Sequence, residues 1–567
     1  VIFKFNSIRF TDTSRLLEFN PSRGWKVNDR LFVDQYQDKW TVFKKENEYG
    51  EPRTYTPRTY NFEDGRFGSS VAINQEINLG IFGMPTVNTR GAVSIYIPNV
   101  EGILAEATLL KSDDTTTVLE FGKSVDIHTQ SFAVGAPGTN NDNGAVFVYT
   151  RNTQTNSYDV SLAFSLTGLD TAINYKTADN TVIKASNDSP TTGRLGEIVR
   201  FSKDGKKLFV SAARAGIVYV FDQVASGPKA IDQTFGGDGV KTVFEASSDI
   251  NGRSIAIEGV VKIQGIDYDV LGKTITFTNP VPNAENVTIL SGTQYVPSGA
   301  IRPSTLVGGF GQSIATNKDG TILVVGSPNE ENTYTQEGAT YVYNLTAEHT
   351  GKTADVDTVK TDTITLSADV KEGDTWTQTQ KITLDALNNQ GANYGTSVAM
   401  TDDGLRLFSS APGIDRAQRS SGLVVQHDYN ATTSTWELTT NIAQNATVDD
   451  QKFGANLNVS GNGTTLAVGA ITDTFKETAT FDAGDTTYDG EATAYIDDVT
   501  RGGNVYVYQG IDKHYIPVQT LDNNFIDPDD RFGSEIQIID NKIFVGMPLD
   551  NNTNTDAGRV LSLIHIS

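Results

Sequence analysis

Cysteine is absent from this 567-residue chain, which removes disulfides, thiolate metal ligands and cysteine nucleophiles together. Histidine is scarce: His128, His349, His427 and His514 fall in different parts of the chain without shared spacing, and His565 lies near its end, so no metal-type His pair forms. Long apolar runs are missing as well. Ile322 to Val325 is typical in length, far short of the roughly 20 residues that cross a bilayer as a helix. Cations are the minority charge, 45 Lys and Arg against 69 Asp and Glu, and the net charge of −24 argues against a surface that neutralises phosphates. There is no stretch of helical periodicity and no basic-then-apolar leader. The chain opens "VIFKFNSIRF" without Met, so its beginning is expected to be cut from something longer.

What is present is turn and strand material: 52 glycines with frequent Thr, Asn, Asp and Val. Seven steps of a bulky apolar residue before glycine recur in order, at Phe67-Gly68, Phe121-Gly122, Leu195-Gly196, Phe310-Gly311, Tyr394-Gly395, Phe453-Gly454 and Phe532-Gly533. A short strand follows each ("SVAI", "SIAT", "SVAM", "EIQI"), then in most copies a tight turn ("SKDGKK", "NKDGTI", "TDDGLR", "SGNGTT"). A second strand ends on small residues ("FAVGAP", "LVVGSP", "IFVGMP"), a third reads "GAVFVY" or "GNVYVY", and several copies add a fourth ("TWTQTQKITL", "HYIPVQTL"). Four short antiparallel strands repeated in this way predict an all-β fold, a seven-bladed β-propeller of four-stranded antiparallel blades. Its ends are expected to meet. "RTYTPRTYNFEDGRFG" matches "KHYIPVQTL…DPDDRFG", so the early segment is an outer strand that completes the last blade and removes an exposed sheet edge.

The expected organisation is a lead-in over 1–50 with the hairpin "RLFVDQYQDKWTVFKK", a propeller over 51–560, and an inserted β module over 228–300. Residues 561–567, "LSLIHIS", resemble the in-frame translation of a transposase adapter used in sequencing libraries and are expected not to belong to the natural protein.

The ordered Phe-Gly…Gly-Ala-Pro pattern resembles the FG-GAP repeat of integrin α-subunits and related propellers, over most of residues 51–560. In many members of that family the first turn carries D-x-[DN]-x-D-G-x-x-D and binds Ca²⁺. Calcium takes six to eight oxygens. With Asp319 in the Asp-Gly place, the end ligands fall on Ala315 and Leu323; around Asp403 they fall on Ala399 and Leu407, and around Asp204 on Arg200 and Leu208. The expectation is therefore hairpin turns, no cofactor and no metal. Asp142 in "GTNNDNG", and Asp550 and Asp556 in "DNNTNTDAG", remain the only candidate calcium ligands.

The insert between residues 195 and 310 resembles a small module of tailed-bacteriophage fibre proteins, on Gly259 to Val261, Gln264, Asp267 to Val270 and Gly272 to Pro282. A second insert, "ETATFDAGDTTYDGEATAYIDDV", resembles loops of large structural proteins of cyanobacterial phages. These resemblances imply a non-enzymatic virion structural and attachment protein, located in a tail or fibre. Its partners would be other virion proteins or a host surface glycan or protein, with neither nucleic acid nor membrane insertion. An integrin-like secreted or cell-surface adhesin is the first alternative. A carbohydrate-active propeller enzyme is the second, and would draw on the acidic pairs Asp402-Asp403, Asp449-Asp450 and Asp529-Asp530, although these positions suit turns and caps. No catalytic residue is expected.

Overall fold

The computed structural model describes the strand segments 2–3, 17–20, 24–27, 31–36, 39–44 and 53–55, then 65–74, 79–98, 104–111, 118–128, 131–152, 157–165, 174–176, 182–184 and 193–224. It continues through 233–246, 255–257, 260–261, 268–271, 273–289, 294–303, 308–332, 335–348, 374–384, 390–415, 420–444, 450–472, 502–521, 530–539, 542–550 and 556–564. The second insert, 477–499, lies outside these residues.

The fold is all-β and propeller-like. Each glycine step opens a four-stranded antiparallel sheet, and in six of the seven the strands lie side by side in chain order. The first sheet comprises Ser70–Asn74, Leu79–Met84, Ala92–Pro98 and Leu104–Lys111. Corresponding sheets start with Ser124–His128, Leu195–Phe201, Ser313–Thr316, Val398–Met400, Phe453–Val459 and Glu535–Ile539. These are called the second to seventh sheets below. Their first strands touch one another in cyclic order, and that of the seventh sheet touches that of the first.

The seventh sheet is built from distant parts of the chain: its fourth strand is Arg53–Tyr55, which pairs with Arg559–Ile564 through Val560 opposite Tyr55 and Ser562 opposite Arg53. The segment read as adapter-derived thus supplies Leu561 to Ile564 to a paired strand, with Leu561 buried.

Why these residues recur is visible where sheets meet. The apolar residue of every step is buried, and each following glycine has φ between +87° and +95°, a region that penalises a Cβ. The glycine of the "VGSP" strand has a second reason. A Cβ on Gly326 would lie 1.9 Å from the carbonyl oxygen of Gly395 in the next sheet, so the backbones approach too closely for any side chain. In the third strands both faces are covered, as Tyr341, Val342 and Tyr343 show, because each sheet has a neighbour on either side.

The turns after the first strands are local hydrogen-bonded reversals. Asp319 accepts from Thr321 Oγ1 at 2.7 Å, Asp204 from the Lys206 amide at 3.0 Å, and Asp403 from the Leu405 amide at 3.0 Å. In each, the glycine alone is left-handed, at +69°, +71° and +68°; the aspartate caps the turn with its side chain. The inserted module leaves the third sheet between Ile217–Val224 and Gln294–Ile301, and packs its own core around Phe244, Ile255, Tyr268, Phe277 and Val287. Residues 294–301 form the outer strand of the third sheet, so the module's strands run from Gln233 to Ile289.

Candidate active site

The first strands pack against one another in cyclic order, and two positions of each repeat differ among them. Two residues after the step glycine stand Ser70, Ser124, Ile198, Ser313, Ser397, Asn456 and Glu535. Four residues after it stand Ala72, Asp126, Arg200, Ala315, Ala399, Asn458 and Gln537. Three of the first set share one structural duty: Ser70, Ser124 and Ser313 each donate to the step-glycine carbonyl of the next sheet at 2.8 Å. Alanine at three of the second set leaves space. Apart from Ile198 and Ser397, the remaining positions carry charge or amides.

Asp126 is buried and accepts a 2.6 Å hydrogen bond from the Phe201 amide, while Arg200 Nη1 stands 3.7 Å from its other oxygen. Glu535, from the far end of the chain, accepts from Asn456 Nδ2 at 3.3 Å. Its side chain is only partly exposed, and loss of hydration is the largest influence on its titration. Burial pushes its carboxyl up to about 7, with Arg200 pulling down and the negative charge of Asp126 pushing up. Burial also raises Asp126, against the pull of Arg200. Asp126 and Arg200 thus both act electrostatically on Glu535, whose carboxyl is held well above its ordinary range.

At one end of the first strands the first turns are joined. The Asp204 amide donates to the Lys318 carbonyl (3.0 Å), the Lys318 amide to Asp402 (3.0 Å) and the Asp402 amide to Gly461 (2.8 Å), which strings the turns of the third to sixth sheets together. Lys203 reaches past the intervening sheet to pair with Asp402, and His128 lies directly against Gly205.

The candidates named from sequence lie elsewhere. Asp142 is drawn into ion pairs with Arg194 (3.0 Å) and Arg214 (3.1 Å). Asp550 is buried against Arg559 at 3.1 Å, and the Asp556 carbonyl accepts from the Arg66 amide at 2.8 Å. Among the described residues no group of three or more His, Asp or Glu side chains is placed to hold a metal ion. Of the acidic pairs, Asp402 binds Lys203, Asp403 caps its turn, the Asp450 carbonyl accepts from Thr472 and Asp530 is buried; Asp449 and Asp529 lie outside the described residues. The structure brings together instead Asp126, Arg200, Asn456 and Glu535, which sequence reasoning missed. Their signal was a departure from the repeat: "FGSE" where four siblings read "FGSS", "FGKS", "FGQS" and "YGTS".

No family model matches the chain, and no curated protein matches it. Among solved structures it is similar to a Bacteroides fragilis protein described as a 6-phosphogluconolactonase, at 11% identity and TM-score 0.43, over 87% of this chain and 99% of that one. It is also similar to a periplasmic gluconolactonase of Pseudomonas aeruginosa, at 11% identity and TM-score 0.41, over 91% and 96% of the two chains. A Lactobacillus plantarum protein matches at 9% identity and TM-score 0.41, over 90% and 94%. The expectations of a non-enzymatic virion attachment protein and of no catalytic activity are corrected here. Two of these similar structures are described as lactonases, and that finding stands against both expectations.

Proposed function

We propose that this chain is a propeller enzyme that performs general acid–base chemistry in its axial region on a small polyhydroxylated substrate. What supports this is that Asp126 and Arg200, 3.7 Å apart, both act electrostatically on Glu535, although the three come from separate repeats. Glu535 is the proton donor to a departing oxygen. Asp126, fixed by the Phe201 amide and by Arg200, orients the attacking water and takes its proton. Arg200 offsets negative charge developing between them, and Asn456, Asn458 and Gln537 offer amides to substrate hydroxyls. The net reaction is addition of water across a carbon–oxygen bond.

We further read the architecture as seven blades in one closed ring, with repeats of the FG-GAP type. The cyclic contacts of the first strands support this, as do the bridge from Phe67 to Gly558 and the pairing of Arg53–Tyr55 with Arg559–Ile564.

The test is a hydrolysis panel of sugar lactones, sugar esters and glycosides, run on the intact chain, on Glu535→Gln and on Asp126→Asn. Each variant is expected to lose about 100-fold or more in kcat with an unchanged circular dichroism spectrum. Turnover that survives both substitutions would remove the proposal.

A further inference from the structure

Opposite the strung turns, where the first strands begin, a cavity of about 580 Å³ opens between the third and fourth sheets. Arg194, Glu197 and Arg214 line it from one side, and Gly308, Gly309 and Gln312 from the other. Glu197 and Arg200 lie on the same strand, Leu195–Phe201, so the cavity stands roughly 10 Å along that strand from the axial acid–base groups.

Its chemistry is mixed. All three nitrogens of Arg194 are engaged by carboxylates: Nη2 by Glu120 at 2.5 Å, Nη1 by Asp142 at 3.0 Å and Nε by Glu197 at 2.8 Å. Arg214 Nη1 reaches the second oxygen of Asp142 at 3.1 Å. Two guanidinium groups thus share three carboxylates, and the net negative balance disfavours an anion. The interleaving of fixed donors and acceptors suits a ligand that offers both at every position, as a hydroxyl does. Gln312 adds one more donor and acceptor. The far wall is backbone held close. A Cβ on Gly308 would lie 2.5 Å from the Asn329 carbonyl oxygen, and one on Gly309 would lie 2.9 Å from Gln312 Nε2.

We propose that this cavity is a subsite for neutral saccharide hydroxyls, which holds one part of a substrate while another part enters the axial region. Its link to turnover rests on the acid–base function proposed above; its capacity to bind does not. Arg194, locked by three carboxylates, is a preorganised donor that need not be reordered when ligand arrives. The turns strung from Asp204 to Gly461 lie at the other end of the first strands, away from this cavity.

The experiment is calorimetric titration of the intact chain with maltose and with sorbitol, on the wild type, Gln312→Ala, Arg214→Ala and Glu535→Gln. Arg214 is half-exposed and Gln312 sits at a strand start, so neither substitution threatens the core. Saturable binding of at least one probe is expected, weakened about tenfold by Gln312→Ala and by Arg214→Ala and unchanged by Glu535→Gln. Absence of saturable binding to both probes, or binding indifferent to both cavity substitutions, overturns the proposal. The two proposals fail separately. Turnover retained in Glu535→Gln defeats the acid–base function and leaves the subsite standing, whereas lost turnover with indifferent cavity variants does the reverse.

Discussion

Ser124 Oγ donates a hydrogen bond to the carbonyl oxygen of Gly196, 2.8 Å away in the next sheet. The same bond joins Ser70 to Gly122 and Ser313 to Gly395, so in three of the seven repeats this serine fastens one sheet to its neighbour. Glu535 occupies the equivalent place in the seventh sheet and faces Asn456 instead. A position used elsewhere for assembly carries an acid there.

That acid makes stability depend on pH. Glu535 binds its proton more tightly when folded, about 7 against an ordinary value near 4.5, so its contribution is complete below about 4.5 and is lost as pH rises through about 7. Thermal melts of the wild type are expected to fall relative to Glu535→Gln between pH 5 and pH 8, by about 2–3 kcal/mol at the upper end. Parallel pH profiles for the two proteins would contradict this.

Lys207 is buried and lies 2.7 Å from Asp222 in its own sheet and 2.9 Å from Asp374 in the next. Lys207→Met leaves two buried carboxylates without their cation. Unfolding by denaturant is expected to show a loss of about 3–5 kcal/mol, with recovery on adding Asp222→Asn and Asp374→Asn.

Gly326→Ala places a methyl group where the Gly395 carbonyl already stands. Neither backbone can yield without opening the contact between the fourth and fifth sheets. Calorimetric melting is expected to show a loss of about 2–4 kcal/mol, whereas Gly391→Ala, where a Cβ would meet nothing within 4 Å, suffers only backbone strain from φ +72°.

Removing residues 1–56 takes away the fourth strand of the seventh sheet and bares the edge of Arg559–Ile564. The shortened chain is expected to self-associate in sedimentation velocity, through the uncovered edge, where the complete chain does not. A monomeric, equally stable product would show that the early segment is dispensable.

Much of the architecture was legible because the repeat is written in residues with a single structural use. Phe310 and Gly311 fix a buried ring beside a left-handed backbone, Asp319-Gly320 writes a reversal, and the small-residue strand around Gly326 announces close approach. The pairing of Arg53–Tyr55 with the last sheet could be read because its flanks copy those of a sibling. In these turns the aspartates act through side-chain caps, and only the glycines adopt positive φ.

The candidate site was not legible for the opposite reason. Asp126, Arg200, Asn456 and Glu535 sit in four repeats, and nothing local to any of them announces the others. Neighbours in a strand point to opposite faces, so an adjacent acidic pair does not mark residues gathered from several strands. Positions that break the serine and alanine pattern were the usable clue.

Because one sheet is shared between segments near residues 54 and 560, its last seam cannot be sewn until nearly all the intervening chain has been made and ordered. Until that moment the growing array carries a raw margin of unpaired amides and carbonyls. The pace of this final joining, more than the stability of any one sheet, sets how long each newly made molecule stays open to the wrong neighbour.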